Sequence, residues 1–362
     1  MKPRLKRTIE LIDAPDGDLI LMRTNAEDIK VGSPGRRGRE LIGALDGSRS
    51  LRELEQRFGE QEVRDVVSQM QELELLEDAA DDERMPVALR ERFDRQLRYF
   101  SDAGAAPGVT ASECQLRLSE AEVAVLGVGG LGGRVAWELA SCGVGTLRIV
   151  DFDHVETSNL NRQIQYGESD IGRLKVDAFA ARLRDFNSEI EVVASRARLE
   201  SEAQLAEFIA GADLVVGAAD WPAHEIERWC NSACFAAGIP YVAMSQFPPF
   251  ARVGPLYVPG ETGCFTCQEI GYRREYPLFD EVIAQRQGSS SPAATLGPAC
   301  GLVGALVGAE AVHFLTGLTE RAMLGVGHIY DLLTLEVERY EVVPEPDCPV
   351  CAHLREAVVV ER

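Results

Sequence analysis

Basic residues are in short supply: 37 Lys and Arg stand against 58 Asp and Glu, a formal net charge of −21 with a pI near 4.7. Such a surface repels phosphate backbones and anionic headgroups, which excludes broad nucleic-acid binding and adsorption to acidic membranes. Uninterrupted apolar runs fall far short of the ~20 residues of a membrane helix, so no membrane span is expected. The start, Met1 to Arg7, is basic but leads into Glu10, Asp13 and Asp16 rather than an apolar stretch. It does not read as a signal peptide, and a cytoplasmic location is expected. Histidines number five and show neither metal-ligand nor triad spacing, so no chemistry is assigned to them. Nine cysteines are an odd number in a chain too long to need a disulfide scaffold. That favours free thiols and metal ligands in a reducing compartment. What is present is apolar content: 46% hydrophobic residues can build cores and exclude disorder as the main state. Length adds a prior of about two domains at ~150 residues each.

Residues 8 to 24 alternate apolar and polar around Asp16-Gly17, a β-hairpin signal. Leu41, Ile42 and Leu45 then begin a helical pattern that stops at Asp46-Gly47-Ser48. A second helix opens at Ser50, where Glu53 completes a capping box, and ends near Gly59. A third carries Val63, Val66, Val67, Met70 and Leu73 at amphipathic spacing. A hairpin and three short helices make a winged-helix-like module over residues 1–80. Its element order and the phrase Leu45-Asp46-Gly47-Ser48-Arg49-Ser50-Leu51 resemble the PqqD-like leader-peptide recognition module of ribosomal-peptide biosynthesis. The resemblance implies a peptide added as a strand to the hairpin edge. A DNA-binding winged helix and a dimerisation cap remain as alternatives, the first disfavoured by the acidic charge. The acidic run at residues 72–83 reads as a solvated boundary before Pro86. Residues 86–118 form a connecting helix and loop carrying Arg90, Arg92, Arg95 and Arg98.

From residue 119 onward strands and helices alternate. Val123 to Leu126 runs into Gly127-Val128-Gly129-Gly130-Leu131-Gly132-Gly133 and a helical Val135 to Cys142. That is a strand, a glycine turn and a helix N-terminus, suited to an anion or nucleotide. A second strand, Thr146 to Val150, ends at Asp151, placed for ribose hydroxyls. A dinucleotide enzyme shares both features. The following Ser158-Asn159-Leu160-Asn161-Arg162-Gln163 and Lys175 add two cations, which suit a triphosphate better than a nicotinamide. These motifs, with Asp220 after the apolar Leu214 to Ala219 and the pair Arg95-Gln96 ahead of the core, resemble the E1-like adenylyltransferases of the ThiF/MoeB family. Within it, Ala219-Asp220-Trp221-Pro222, Gly254 to Gly260 and Gly263-Cys264 through Cys267-Gln268 look most like the branch that modifies ribosomal peptides in microcin and pantocin maturation.

The resemblance implies an α/β fold: a Rossmann-like E1 adenylation core over 119–362, with the small PqqD-like domain ahead of it. It implies ATP, Mg2+, a homodimer and a ribosomal precursor peptide whose carboxylate is adenylylated with release of pyrophosphate. Gly127, Gly129 and Gly130 would admit the nucleotide and Asp151 would hold the ribose. Asn159, Arg162 and Lys175 would contact the phosphates, Asp220 would bind magnesium, and Arg95 would reach across the dimer. Two other functions stay open: a non-catalytic leader-binding partner of an azoline-forming cyclodehydratase, and activation of a sulfur carrier. Independently of the family, Cys264-x-x-Cys267 and Cys348-x-x-Cys351 form two knuckles that make an S₄ set suited to structural zinc. The interval from Gln268 to Ala299, where ubiquitin-activating relatives carry a thioester-forming cysteine, has none. Cys300 and the other four cysteines are expected to pack as small hydrophobes.

Overall fold

The computed structural model describes residues 1–24, 26–103, 109–287, 294–318 and 321–354. Its contacts divide the chain into a first unit, Met1–Arg117, and a second that begins at Leu118.

In the first unit β1 (Pro3–Leu5) pairs antiparallel with β5 (Leu76–Asp78), so the start of the chain is fastened beside a strand 73 residues later. Between them β2 (Glu10–Asp13), β3 (Leu19–Met22) and β4 (Ile29–Val31) form an antiparallel sheet in that order. The expected hairpin is β2 with β3, in register Leu11 opposite Leu21, and β4 extends it. Leu19 and Leu21 point into a core shared with α1 (Gly35–Gly43), α2 (Leu51–Phe58) and α3 (Glu60–Glu72). Every residue of β2 is exposed. The Ser50–Glu53 capping box opens α2 as its sequence requires.

Two expectations change in this unit. The acidic run is not a solvated boundary: it makes β5 and a following 3₁₀ turn, and it supplies partners to two half-buried arginines. Asp82 accepts from Arg4 at 2.6 Å and Arg7 at 2.8 Å, and Glu77 pairs with both, its side chain only 7% exposed. Carboxylates three or more positions apart in a charged run look like solvent-facing residues until a distant strand brings arginine to them. The connecting helix expected within residues 86–118, over its arginine-bearing stretch, is also two helices, α4 (Val87–Arg92) and α5 (Asp94–Asp102), broken at the buried Phe93. After α5 comes α6 (Ala111–Glu120).

The second unit is a mixed eight-stranded sheet, described in the order β13-β12-β11-β10-β9-β6-β7-β8. Here β6 (Glu122–Leu126), β7 (Thr146–Val150), β8 (Glu191–Ser195) and β9 (Leu214–Gly217) run parallel with β10 (Tyr241–Phe247). The strands β11 (Phe250–Tyr257), β12 (Val326–Asp331) and β13 (Val337–Glu341) continue it antiparallel. Central strands such as β6 are buried along nearly their whole length, which is why they read as continuous apolar runs rather than alternating ones. The helices are α7 (Gly132–Cys142), α8 (Lys175–Phe186), α9 (Glu202–Ile209), α10 (Glu225–Ala237), α11 (Phe265–Glu275), α12 (Phe279–Gln287) and α13 (Gly297–Thr316). From β6 the chain goes outward to β7 and β8, then returns to β9 on the other side. That reversal opens a crevice beyond the strands' carboxyl ends, the usual place for a ligand in such sheets.

One helix has the length and composition of a membrane span, and more than half of it is packed inside the fold as in a core helix. α13 spans 20 residues with mean hydropathy 1.5 in its most apolar window, long and apolar enough to cross a bilayer, although 56% of that window is buried inside the fold. Glycine and alanine interleaved with valine give it that character without an unbroken apolar run.

Candidate active site

The glycine turn between β6 and α7 forms the floor of a cavity of about 540 Å³, a volume suited to a nucleotide-sized ligand. Gly127 sits at φ +83°, and a Cβ there would stand 3.2 Å from the carbonyl oxygen of Ala218 at the end of β9. Both the conformation and the close passage of β9 therefore call for glycine. Gln165 Nε2 donates to the carbonyls of Val128 and Gly129 at 2.9 Å, and the Tyr166 hydroxyl donates to Val128 at 2.9 Å. These two buried side chains fix the carbonyl side of the turn.

Gly127, Gly129, Gly130, Asp151, Asn159, Arg162, Lys175 and Asp220 all line this one cavity. They come from four places: the turn after β6, the end of β7, the loop leading to α8, and the end of β9. Asp151 accepts from the backbone N–H groups of Val128 and Asp153, each at 2.9 Å, which locks it against the turn. Burial raises its carboxyl pKa above the ordinary value, with the Lys175 ammonium opposing. Lys175, only 8% exposed, donates to Asp153 at 2.8 Å. Arg162 donates to the Ser158 carbonyl at 2.8 Å and to Asn161 Oδ1 at 3.0 Å, so it folds back along its own loop. Asn159 Oδ1 accepts from the Glu156 backbone at 3.0 Å and braces that loop. Asp220 is exposed at the cavity. Arg95 lies exposed on α5 of the first unit.

Several cavity residues receive no site role from the sequence, although Gln163 closes the Ser158–Gln163 motif. Asp153 holds Lys175. Gln163 is 3% exposed, and its Oε1 has no partner among the described residues. Cys300 is buried as expected, but it faces the cavity rather than a core. Its Sγ lies 3.5 Å from both Thr295 Oγ1 and Gln246 Oε1, and 2.9 Å from where a Cβ on residue 130 would be. His224, one of the histidines without a motif, also lines the cavity, in a left-handed conformation at φ +67°. Its Nε2 is 2.7 Å from Glu269 and its Nδ1 3.6 Å from Glu227. Burial pushes this imidazole pKa down, but the two carboxylates outweigh it and raise the value to about 9.

Apart from the cavity, the four knuckle cysteines converge. Cys264 and Cys267 open α11, and Cys348 and Cys351 close the described tail. Their Sγ atoms lie within 4.8 Å of one another, with 3.6 Å from Cys264 to Cys348 and 3.3 Å from Cys267 to Cys351. Four thiolates at about 2.3 Å around one zinc ion stand roughly 3.8 Å apart, so the donor set fits a closed tetrahedral site. All four are buried, leaving no open coordination position for substrate.

The family model described as the ThiF family matches residues 93–350. The chain belongs to the ThiF family. It is an E1-like, ATP-dependent adenylyltransferase. Among its ThiF relatives, the molybdopterin-synthase adenylyltransferase of Escherichia coli K12 is 32% identical over 264 residues, 72% of this chain and 95% of the relative. In fold, E. coli MccB solved with ATP superposes with a TM-score of 0.70, 24% identity, and coverage of 97% of this chain and 100% of that one. PaaA gives a TM-score of 0.73 at 26% identity, over 93% of this chain and 99% of that one. Another MccB structure, described as a microcin C7 biosynthetic enzyme, holds N-formylated MccA.

Proposed function

We propose that this adenylyltransferase activates a carboxylate, at the C-terminus or on a side chain, of a ribosomally made precursor peptide. The observation that carries the proposal is the module ahead of the core. The molybdopterin-synthase relative aligns over 95% of its own length yet reaches only 72% of this chain, whereas the PaaA fold covers 93%. The exposed edge strand β2, with Leu11 and Ile12 open to solvent, offers unpaired backbone groups and apolar contacts to an extended leader peptide.

A carboxylate is a poor electrophile because its leaving group would be oxide. Its attack on the α-phosphorus of ATP forms the acyl adenylate and releases pyrophosphate. The chain's part is positioning and charge stabilisation along the phosphates. Lys175 and Arg162 would swing from Asp153 and the Ser158 carbonyl to phosphate oxygens, and Asp151 would take the ribose. Asp220 would hold Mg2+, which when bound neutralises phosphate charge. Arg95 would serve the neighbouring subunit of a homodimer, and zinc would hold the tail.

Sulfur-carrier activation is the second reading, favoured by the 32% identity to a molybdopterin-synthase adenylyltransferase. Pyrophosphate exchange separates the two. With the peptide encoded beside the gene, exchange should need both ATP and peptide, and should vanish in Asp220→Ala and on deletion of residues 1–80. Exchange with a sulfur carrier that survives that deletion would replace the proposal.

A further inference from the structure

We infer that the cavity wall formed by Glu227 is the subsite for the last residue of the activated peptide, and that it takes a residue bearing N–H donors, an amide or an ammonium. The inference rests on the peptide reading above. Glu227 stands in the first turn of α10 and lines the same cavity as the glycine turn, with 37% of its side chain exposed. Behind it are two cations, His224 Nδ1 at 3.6 Å and Arg252 Nη2 at 3.4 Å. Their charges keep it ionised, but neither contact is short enough to use its lone pairs well. His224 is committed at 2.7 Å to Glu269, which Arg228 grips with Nη2 at 2.8 Å and Nε at 3.0 Å. Of the two carboxylates in this cluster, Glu227 is the one turned to the cavity.

A second acceptor lines the cavity on the loop beside Arg162. Gln163 is buried, and its Oε1 is an acceptor without a partner among the described residues. A triphosphate offers only acceptors and negative charge, so it satisfies neither group and is repelled by Glu227. Arg162 and Lys175 mark the phosphate end; Asp151 after β7 and the apolar Ala197 and Leu199 after β8 put the nucleoside, with its own donors, on that side of the sheet, whereas Glu227 is held by Arg252 of β11 on the other side and so marks the acyl end. An acidic terminal side chain would be excluded there for the same reason that phosphate is.

The test is pyrophosphate exchange by the full chain with ATP, Mg2+ and the full-length precursor peptide of the exchange test above, varied only in its last residue: Lys, Asn, Ala or Asp. Lys and Asn should exceed Ala in kcat/KM by about tenfold, the worth of one charge-assisted hydrogen bond, with Asp lowest. Glu227→Gln should erase the advantage of Lys over Asp and leave the affinity for ATP, measured by calorimetry, unchanged. Glu227→Lys should turn the preference toward Asp. Exchange that ranks the peptides alike in wild type and Glu227→Gln overturns the subsite alone. Exchange with none of the peptides overturns the peptide reading and the subsite with it.

Discussion

Replacing Asp82 by Asn tests whether the acidic run is structural. Asp82 accepts from Arg4 at 2.6 Å, from Arg7 at 2.8 Å and from the Ser112 hydroxyl at 2.5 Å, and the two arginine side chains are 17% and 15% exposed. Removing one partner of a buried ion pair typically costs about 3–5 kcal/mol, because the other charge stays behind unpaired. Glu77 remains ion-paired with both arginines, which puts the cost at the lower end, about 3 kcal/mol. At roughly 5 °C per kcal/mol for a unit of this size, the first unit should melt about 15 °C lower by calorimetry. Glu83→Gln is the matched control: its carboxylate is 68% exposed beside Lys2, and its loss should leave the melting temperature almost unmoved. Burial pushes the Asp82 carboxyl upward, but its bonds to Arg4 and Ser112 and the charges of Arg4 and Arg7 outweigh it and hold the pKa below the usual range. Its stabilisation is therefore present above the unfolded carboxylate value and lost as pH falls through the native one, so the variant should flatten the acid limb of stability. A melting shift under about 3 °C, or an effect equal to that of Glu83→Gln, would refute the reasoning.

Three further outcomes follow from the second unit. Cys348→Ser should lower the metal bound per chain, read as zinc by plasma mass spectrometry, and an undiminished zinc content would remove the four-cysteine site. The His224 resonance should titrate near pH 9 by NMR. Because that pKa is raised above 6.5, its stabilisation is complete below about pH 6.5 and fades as pH rises toward 9, a loss that His224→Gln should not show. Lys175→Met should weaken ATP binding by at least about tenfold in calorimetry, since in the proposed reading it would remove a charge-assisted phosphate contact while the methylene stem still packs. Unchanged affinity would take Lys175 out of the phosphate end.

Local chemistry was the readable part of this chain. The Ser50–Glu53 box, the spacing from Val63 to Met70 and the passage from Val123 through the glycine turn to α7 each follow from neighbours in sequence, and each forms as written. Paired Cys-x-x-Cys knuckles were equally plain, because each knuckle is a local unit. What escaped depends on contacts between distant segments. The strand β1 is three residues long and exists through β5, and Asp82 meets Arg4 only because those strands pair. His224 and Cys300 carry no spacing of their own, since the sheet's reversal at β6 and β9 is what gathers them around one cavity. Asp153 was within reach: an Asp-x-Asp after a parallel strand, with a lysine to come, offers a second carboxylate to hold that lysine.

The four-cysteine cluster has a topological consequence. Its two knuckles lie 84 residues apart, so a metal ion on all four thiolates would close a loop around everything between them, from most of α11 through α12, α13, β12 and β13. A protease that cuts the chain once in that span leaves two pieces that travel together in a native gel. For a cut between α11 and β12, the ladder of β11 with β12 also spans the nick, so a chelator removes one of two ties and the sheet keeps the pieces together.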